Sequence, residues 1–219
     1  MDTFRVLILV LASDTDPIYR AFESAWRSAS HPRADIVLYK AHPNVKTDFI
    51  DGDTIFVGCE ESLDAVFEKQ MRAFRVLVPY LSRYAYVFRT NLSSFVNIPL
   101  YLQFCAGLPR TGVYSGVVGE HEGIRFASGS GFTITPDLIE RLVRENPPGV
   151  FLDDVSVGSA ITSWGVPVLP APRVDHSMDG MSLGMIPSPV SQLPFHHRVK
   201  TDDRLRDAAV VRALFARAR

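Results

Sequence analysis

Apolar residues enter the first half of the chain in two alternating rhythms. Continuous runs such as Val6-Leu7-Ile8-Leu9-Val10-Leu11-Ala12 predict buried strands, at 5–12, 35–40, 54–57 and 85–90. Between them the 3.6-residue period predicts helices over 17–29 and 61–82. The first carries Ile18, Ala21, Phe22, Ala25 and Trp26 on one stripe, with Asp16 as cap and Pro17 at the first helical position. Strand and helix in alternation are the signature of a mostly parallel sheet covered by helices. In such open sheets ligands sit beyond the carboxyl ends of the strands. Those ends are Ala12–Asp16, Tyr39–His42, Val57–Glu61 and Arg89–Ser94.

The second half loses this alternation. It predicts a hairpin, Gly112–Val118 with Gly123–Ala127, turning at Gly119-Glu120-His121-Glu122-Gly123. Helices follow near 136–145 and 154–163. Residues 166–194 are rich in Pro, Gly, Ser and Met without period and read as a long ordered loop, of a length that tends to be functional. A final helix over 202–218 places Leu205, Ala208, Val211 and Phe215 on one stripe and Arg206, Arg212 and Arg217 outside it.

Bulk properties narrow the function classes. With 219 residues the chain suits a single α/β domain, 1–219. A formal charge of −1 gives no global attraction to nucleic acid or to an anionic membrane. The apolar opening run ends at Asp14, too short to span a bilayer, so the expectation is a cytoplasmic protein with no transmembrane segment. Cys59 and Cys105 are far apart and lack metal-ligand spacing, which makes them buried thiols. After Leu11 comes Ala-Ser-Asp-Thr-Asp-Pro instead of a Gly-x-Gly-x-x-Gly turn, which argues against a dinucleotide-dependent oxidoreductase.

Candidate chemistry concentrates in two segments. Ser128-Gly129-Ser130-Gly131, read as following a strand, would let backbone approach a ligand closely, since glycine has no Cβ. Downstream, Asp153-Asp154 stands where a helix begins, so one carboxylate can cap it while the other does chemistry. Together with Thr135-Pro-Asp-Leu138 and Tyr86-Val-Phe-Arg-Thr-Asn-Leu-Ser-Ser-Phe-Val-Asn97, these motifs resemble the fringe and β1,3-galactosyltransferase-like enzymes across about residues 5–176. The Arg89-Thr-Asn-Leu-Ser-Ser-Phe95 segment and the ending Phe195-His-His-Arg-Val-Lys200 resemble the glycosyltransferase type of large algal viruses and some bacteria.

The resemblance implies a GT-A fold, a Rossmann-like mixed sheet. It also implies transfer of a sugar from a nucleotide-diphosphate donor, a UDP-sugar, to a hydroxyl of a glycan or glycoprotein. In that reading Asp154 is the general base of an inverting displacement, with Asp153 as its partner acid. Ala12, Ser13 and Asp14 would hold base and ribose, with Thr90, Ser128 and Gly129 completing the donor site and Tyr39 and Lys40 as weaker candidates. The sequence departs from the family at the Asp-x-Asp that holds Mn²⁺ or Mg²⁺, because Asn91, Leu92 and Ser93 stand there. Asn and Ser oxygens are neutral and bind a hard dication far more weakly than carboxylates, so metal dependence does not simply carry over. Asn91, Ser93, His176 and His197 are the residues that could still ligate a metal. Lys69, Arg89, Arg198 and Lys200, with His197, are the cationic groups that could neutralise the diphosphate instead. The loss of the acidic motif also motivates an alternative, a non-catalytic nucleotide-sugar or glycan-binding module on the same scaffold.

Overall fold

β1 (Val6–Leu11) is buried on both faces, and that single fact sets the layering. Val6, Ile8 and Val10 enter one apolar core, while Leu7 and Leu9 enter the other. A strand with no wet face is a central strand of a sheet covered on both sides. The computed structural model describes residues 4–176 and 194–218. β1 pairs in parallel with β2 (Ala34–Ala41) on one side and with β5 (Tyr86–Asn91) on the other. β4 (Thr54–Val57) continues the parallel run beyond β2, and the short β3 (Phe49–Asp51) closes that edge in antiparallel pairing.

On the far side, β8 (Ile124–Ile134) pairs antiparallel with both β5 and β7 (Tyr114–His121), and β9 (Val168–Pro170) lies parallel to β7. The eight-stranded order is β3-β4-β2-β1-β5-β8-β7-β9, an α/β mixed sheet that is mostly parallel. A second sheet of three strands, β10 (Arg173–His176), β11 (His196–Val199) and β6 (Ser94–Val96), stands beside it.

Helices α1 (Ile18–Arg27), α3 (Ile98–Ala106) and α6 (Arg204–Arg217) share one core through Phe22, Trp26, Leu102, Val211 and Phe215. Helices α2 (Val66–Leu77), α4 (Pro136–Glu145) and α5 (Asp153–Ser163) fill the other through Phe74, Leu142, Val157 and Ile161. Asp16 caps the start of α1 as expected, its Oδ1 accepting from Ile18 N at 2.9 Å. Among the described residues no helix is long and apolar enough to cross a membrane.

Several expectations need correction. The helix expected over 61–82 is α only from Val66 to Leu77 and continues as a 3₁₀ turn through Arg83, because Pro79 has no N–H to offer the α ladder. The hairpin turns later than expected, at Glu122 (φ 49°) and Gly123 (φ 78°), a two-residue turn with both residues left-handed. Ser128–Gly131 does not follow a strand but lies within β8. Part of the segment read as a long loop is β9 and β10, while residues 177–193 lie outside the described residues. Leu205 is not on the packed face of the last helix and is 75% exposed. Its first turn faces inward with Asp207 instead, which accepts from Thr201 N at 2.9 Å and Thr201 Oγ1 at 2.8 Å.

α5 lies so close to β8 that only glycine fits at one contact. A Cβ on Gly158 would stand 2.3 Å from Phe126 Cβ and 2.9 Å from Arg125 O. Gly158→Ala should therefore destabilise the protein by ~1–3 kcal/mol in urea denaturation, despite alanine's helix advantage of about 1 kcal/mol.

Candidate active site

A cleft of about 550 Å³ opens at the carboxyl ends of β1 and β5, where an open α/β sheet places its ligand. Its walls include Ala12, Ser13, Asn91, Ser93, Ser128, Gly129, Asp153, Asp154, Arg198 and Lys200, which the sequence had singled out in widely separated parts of the chain. Another cleft of about 700 Å³ lies toward the opposite strand ends. Of its charged residues, Arg27 pairs with Asp53, Asp35 pairs with Arg5 at 2.6 Å, and Arg83 stacks over the Tyr80 ring.

The acidic pair is built by β8 and α5 together. Between the registers Val118–Ala127 and Gly116–Phe132, β8 carries Ser128–Gly131 where β7 carries Val117 alone, so this stretch bulges out of the ladder. Gly129 N donates to Asp154 Oδ2 at 2.7 Å, and Val155 N donates to Asp154 Oδ1 at 3.0 Å. A Cβ on Gly129 would come within 3.1 to 3.3 Å of the Asp154 carboxylate, so this glycine is what admits the aspartate to the bulge. Both acids occupy the first turn of α5, where the exposed N–H ends of the helix favour negative charge.

Asp153 has a different partner. Arg89, 1% exposed in the middle of the sheet, donates to Asp153 Oδ2, to the Gly129 carbonyl and, from Nε at 3.0 Å, to the Tyr39 hydroxyl. Burial works against the Arg89 charge, but Asp153 and Tyr39 overcome it and raise its pKa. Burial likewise raises the pKa of Asp153, and the guanidinium opposes that rise by favouring the carboxylate. The sequence marks Arg89 as a donor-site cation, and it does reach the cleft wall, yet each of its three nitrogens already bonds the protein.

At the end of β5, Asn91 Oδ1 accepts from Ser93 Oγ and Ser94 Oγ, each at 3.1 Å. This neutral, already engaged set does not fit a divalent ion. Among the described residues no group of three or more His, Cys, Asp or Glu is arranged to hold one. What stands above Asn91 and Ser93 is basic. β11 pairs Arg198 with Ser94 of β6, and Val199 N donates to the Ser93 carbonyl at 2.7 Å. Arg198 Nε is buried without a hydrogen-bond partner, and neither Arg198 nor Lys200 forms an ion pair among the described residues. Arg204 also reaches the cleft but is neutralised by Asp207.

The other candidates differ in how far their side chains are committed to the protein. Lys69 is 1% exposed, donating to the Ala12 carbonyl at 2.6 Å and to both oxygens of Glu61 at 2.6 and 2.7 Å. Burial pushes its pKa down, and Glu61 opposes that. Asp14 does not line the cleft, and Lys40, held between Asp14 at 2.7 Å and Glu23 at 2.8 Å, neutralises it. Ser13 bonds Thr15 at 2.9 Å on the cleft wall. Thr90 is buried and donates to the Ser130 carbonyl at 2.6 Å, fixing the bulge.

His176 and His197 meet each other, Nε2 to Nδ1 at 2.9 Å, beneath the small sheet. His197 Nε2 lies 3.1 Å from the Pro194 carbonyl, which can only accept, so its Nδ1 must be the acceptor for His176. Sequence reasoning missed Arg173, Glu61 and Tyr19, which shape the site. Glu61 and Tyr19 line the cleft, whereas Arg173 grips the bulge from β10. The only signal for Arg173 was a charged residue in a short apolar-polar alternation after a proline.

No protein-family model matches the chain, and no curated protein sequence matches it. Among solved structures it is similar to the mannosyltransferase PcManGT from Pyrobaculum calidifontis in complex with GDP-Man and Mn²⁺, with TM-score 0.50 and 12% identity over 78% of this chain and 56% of that one. The chain thus spans a little over half the length of that protein. The galactosyltransferase LgtC in complex with donor and acceptor sugar analogs gives TM-score 0.46 at 12% identity, covering 96% and 95%. A 2-C-methyl-D-erythritol 4-phosphate cytidylyltransferase from Thermus thermophilus gives 0.43 at 13%, covering 98% and 100%. The first of these likenesses shows the fold, the GT-A arrangement expected from the sequence.

The histidine pair makes a prediction about pH. Burial lowers the His197 pKa from 6.5 to about 4, so between those values the unfolded chain binds the proton that the folded chain refuses. The stability this group contributes is complete above about pH 6.5 and is lost as pH falls toward 4. Urea midpoints measured from neutral pH down to that value should drop more steeply for the wild type than for His197→Asn.

Proposed function

We propose that the chain is a glycosyltransferase that binds a nucleotide-diphosphate sugar, a UDP-sugar being the first donor to test, and transfers the sugar to an acceptor hydroxyl with inversion. The observation that carries this reading is the meeting, in one cleft at the strand ends, of a paired aspartate at a helix start with two cations that lack a counter-charge among the described residues.

The two carboxylates divide the work by their partners. Asp153 is bonded to Arg89, while Asp154, among the described residues, accepts only backbone N–H groups and keeps lone pairs for a ligand. Asp154 is therefore the group to take the acceptor hydroxyl's proton as that oxygen bonds to the anomeric carbon and the bond to the donor phosphate breaks. Negative charge then accumulates on the departing diphosphate. Arg198 and Lys200, two residues apart along the direction of β11, are placed to counter it where the family resemblance leads one to expect a metal. Lys69 and Glu61 act at one remove by fixing the Ala12 carbonyl at the end of β1, the edge against which base and ribose would lie. The neutral Asn91–Ser93 segment favours a second reading, a nucleotide-sugar-binding module without chemistry. Donor binding by the wild type with neither hydrolysis nor transfer to any acceptor would select it.

Asp154→Asn should lower transfer by ~10²–10⁴-fold while leaving nucleoside-diphosphate affinity nearly unchanged by calorimetry. Arg198→Ala combined with Lys200→Ala should instead raise the Kd for UDP about 10-fold or more, with a shallower dependence on salt than the wild type.

A further inference from the structure

The bulge that presents Gly129 to Asp154 has almost no ladder to hold it. β8 places Ser128–Gly131 opposite a single residue of β7, and its pairing with β5 begins only at Gly131 with Thr90. Its position therefore rests on side chains. Thr90 Oγ1 donates to the Ser130 carbonyl at 2.6 Å, Ser94 Oγ stands 3.1 Å from the same carbonyl and shares its one proton between it and Asn91 Oδ1, and Arg89 donates to the Gly129 carbonyl.

The remaining hold comes from the small sheet. Arg173 of β10 donates through one guanidinium nitrogen to Ser128 Oγ at 3.0 Å and to Ser130 Oγ, and its side chain is 9% exposed. Its other edge is fixed by Asp175 Oδ2, at 3.1 Å from Nε and 2.9 Å from the second terminal nitrogen. The planar fork thus reaches both serines that flank Gly129 and cannot rotate away, a geometry an ammonium would not reproduce. Ser128 and Ser130 also bond each other at 3.2 Å, so the three groups form a brace across the root of the bulge.

We infer that Arg173 is a positioning residue for Asp154, setting the Gly129 N–H that orients the general base by bracing Ser128 and Ser130. The inference rests on the transfer reaction proposed above and adds to it the residue that holds the base in line. It predicts a separable defect. Without Arg173 the bulge keeps its carbonyl bonds to Arg89, Thr90 and Ser94 but loses both hydroxyl anchors. The Gly129 N–H then wanders, and a displacement of about 1 Å at a reacting group costs ~10²-fold in rate. The cations proposed to hold the diphosphate lie on and just beyond β11, and Arg173 bonds neither of them.

The test is steady-state transfer kinetics, with UDP calorimetry and thermal denaturation, on wild type, Arg173→Ala, Arg173→Lys and the double variant Ser128→Ala with Ser130→Ala. The expected result for Arg173→Ala is a kcat lower by ~10²-fold with donor KM and UDP Kd near wild type, and a partial return of kcat in Arg173→Lys. The serine double variant should reproduce the kcat loss, and it carries the test on its own if Arg173→Ala does not fold. A wild-type kcat in either the folded Arg173→Ala or the folded serine variant overturns the inference but leaves the transfer reaction standing. So does a loss confined to donor KM and UDP Kd, because that would make Arg173 a donor-binding group. Absence of transfer by the wild type with every nucleotide sugar overturns both.

Discussion

A guanidinium buried in the middle of a sheet must be matched by charge and by hydrogen-bond acceptors, or the fold does not form around it. Arg89 meets that requirement from three directions: the Tyr39 hydroxyl on β2, the Gly129 carbonyl on β8 and the Asp153 carboxylate on α5. These elements are far apart in the chain, and their convergence on one group fixes how the parallel half of the sheet meets the antiparallel half. The place where they converge is the floor and wall of the cleft. Removing Asp153 would leave an uncompensated charge at the centre of the protein, so the site and the fold share a single constraint.

That constraint also explains why adjacent aspartates are chemically unequal. Neighbouring carboxylates in the same helix turn differ because one faces a cation and the other faces backbone N–H groups. A similar division runs through the basic residues. Lys69, Arg89 and Arg204 are bound to Glu61, Asp153 and Asp207, while Arg198 and Lys200 carry charge that the described residues leave unmatched. Counting cations in the sequence does not separate the two kinds. Only the counter-charges do.

The layering was legible because β1 announces a two-faced burial by its unbroken apolar run, and the strand ends follow from it. Asp153-Asp154 was legible through the resemblance its neighbouring motifs carry, since an acid at a helix start serves equally well as a cap. Arg89 was visible as a charge within an apolar strand, but its partner lies 64 positions away on a helix, and local pattern carries no information about such pairings. The short strands β6, β9, β10 and β11 have too few residues for a period to show, so Arg173 and the contact of His176 with His197 were hidden with them. The bulge in β8 was read as a segment following a strand, because its glycines signal special backbone but not which kind.

The double burial of β1 has a further bearing on the cleft. Amides at the centre of a sheet, with apolar cores on both faces, exchange with solvent only when the whole domain opens. Ala12 at the end of that strand therefore gives the cleft a floor as durable as the fold itself. The opposite wall is carried by β10 and β11, four residues each in a sheet of three, where openings smaller than global unfolding are available. Hydrogen exchange in this protein should be asymmetric across a single cavity, slowest along β1 and fastest along β10 and β11.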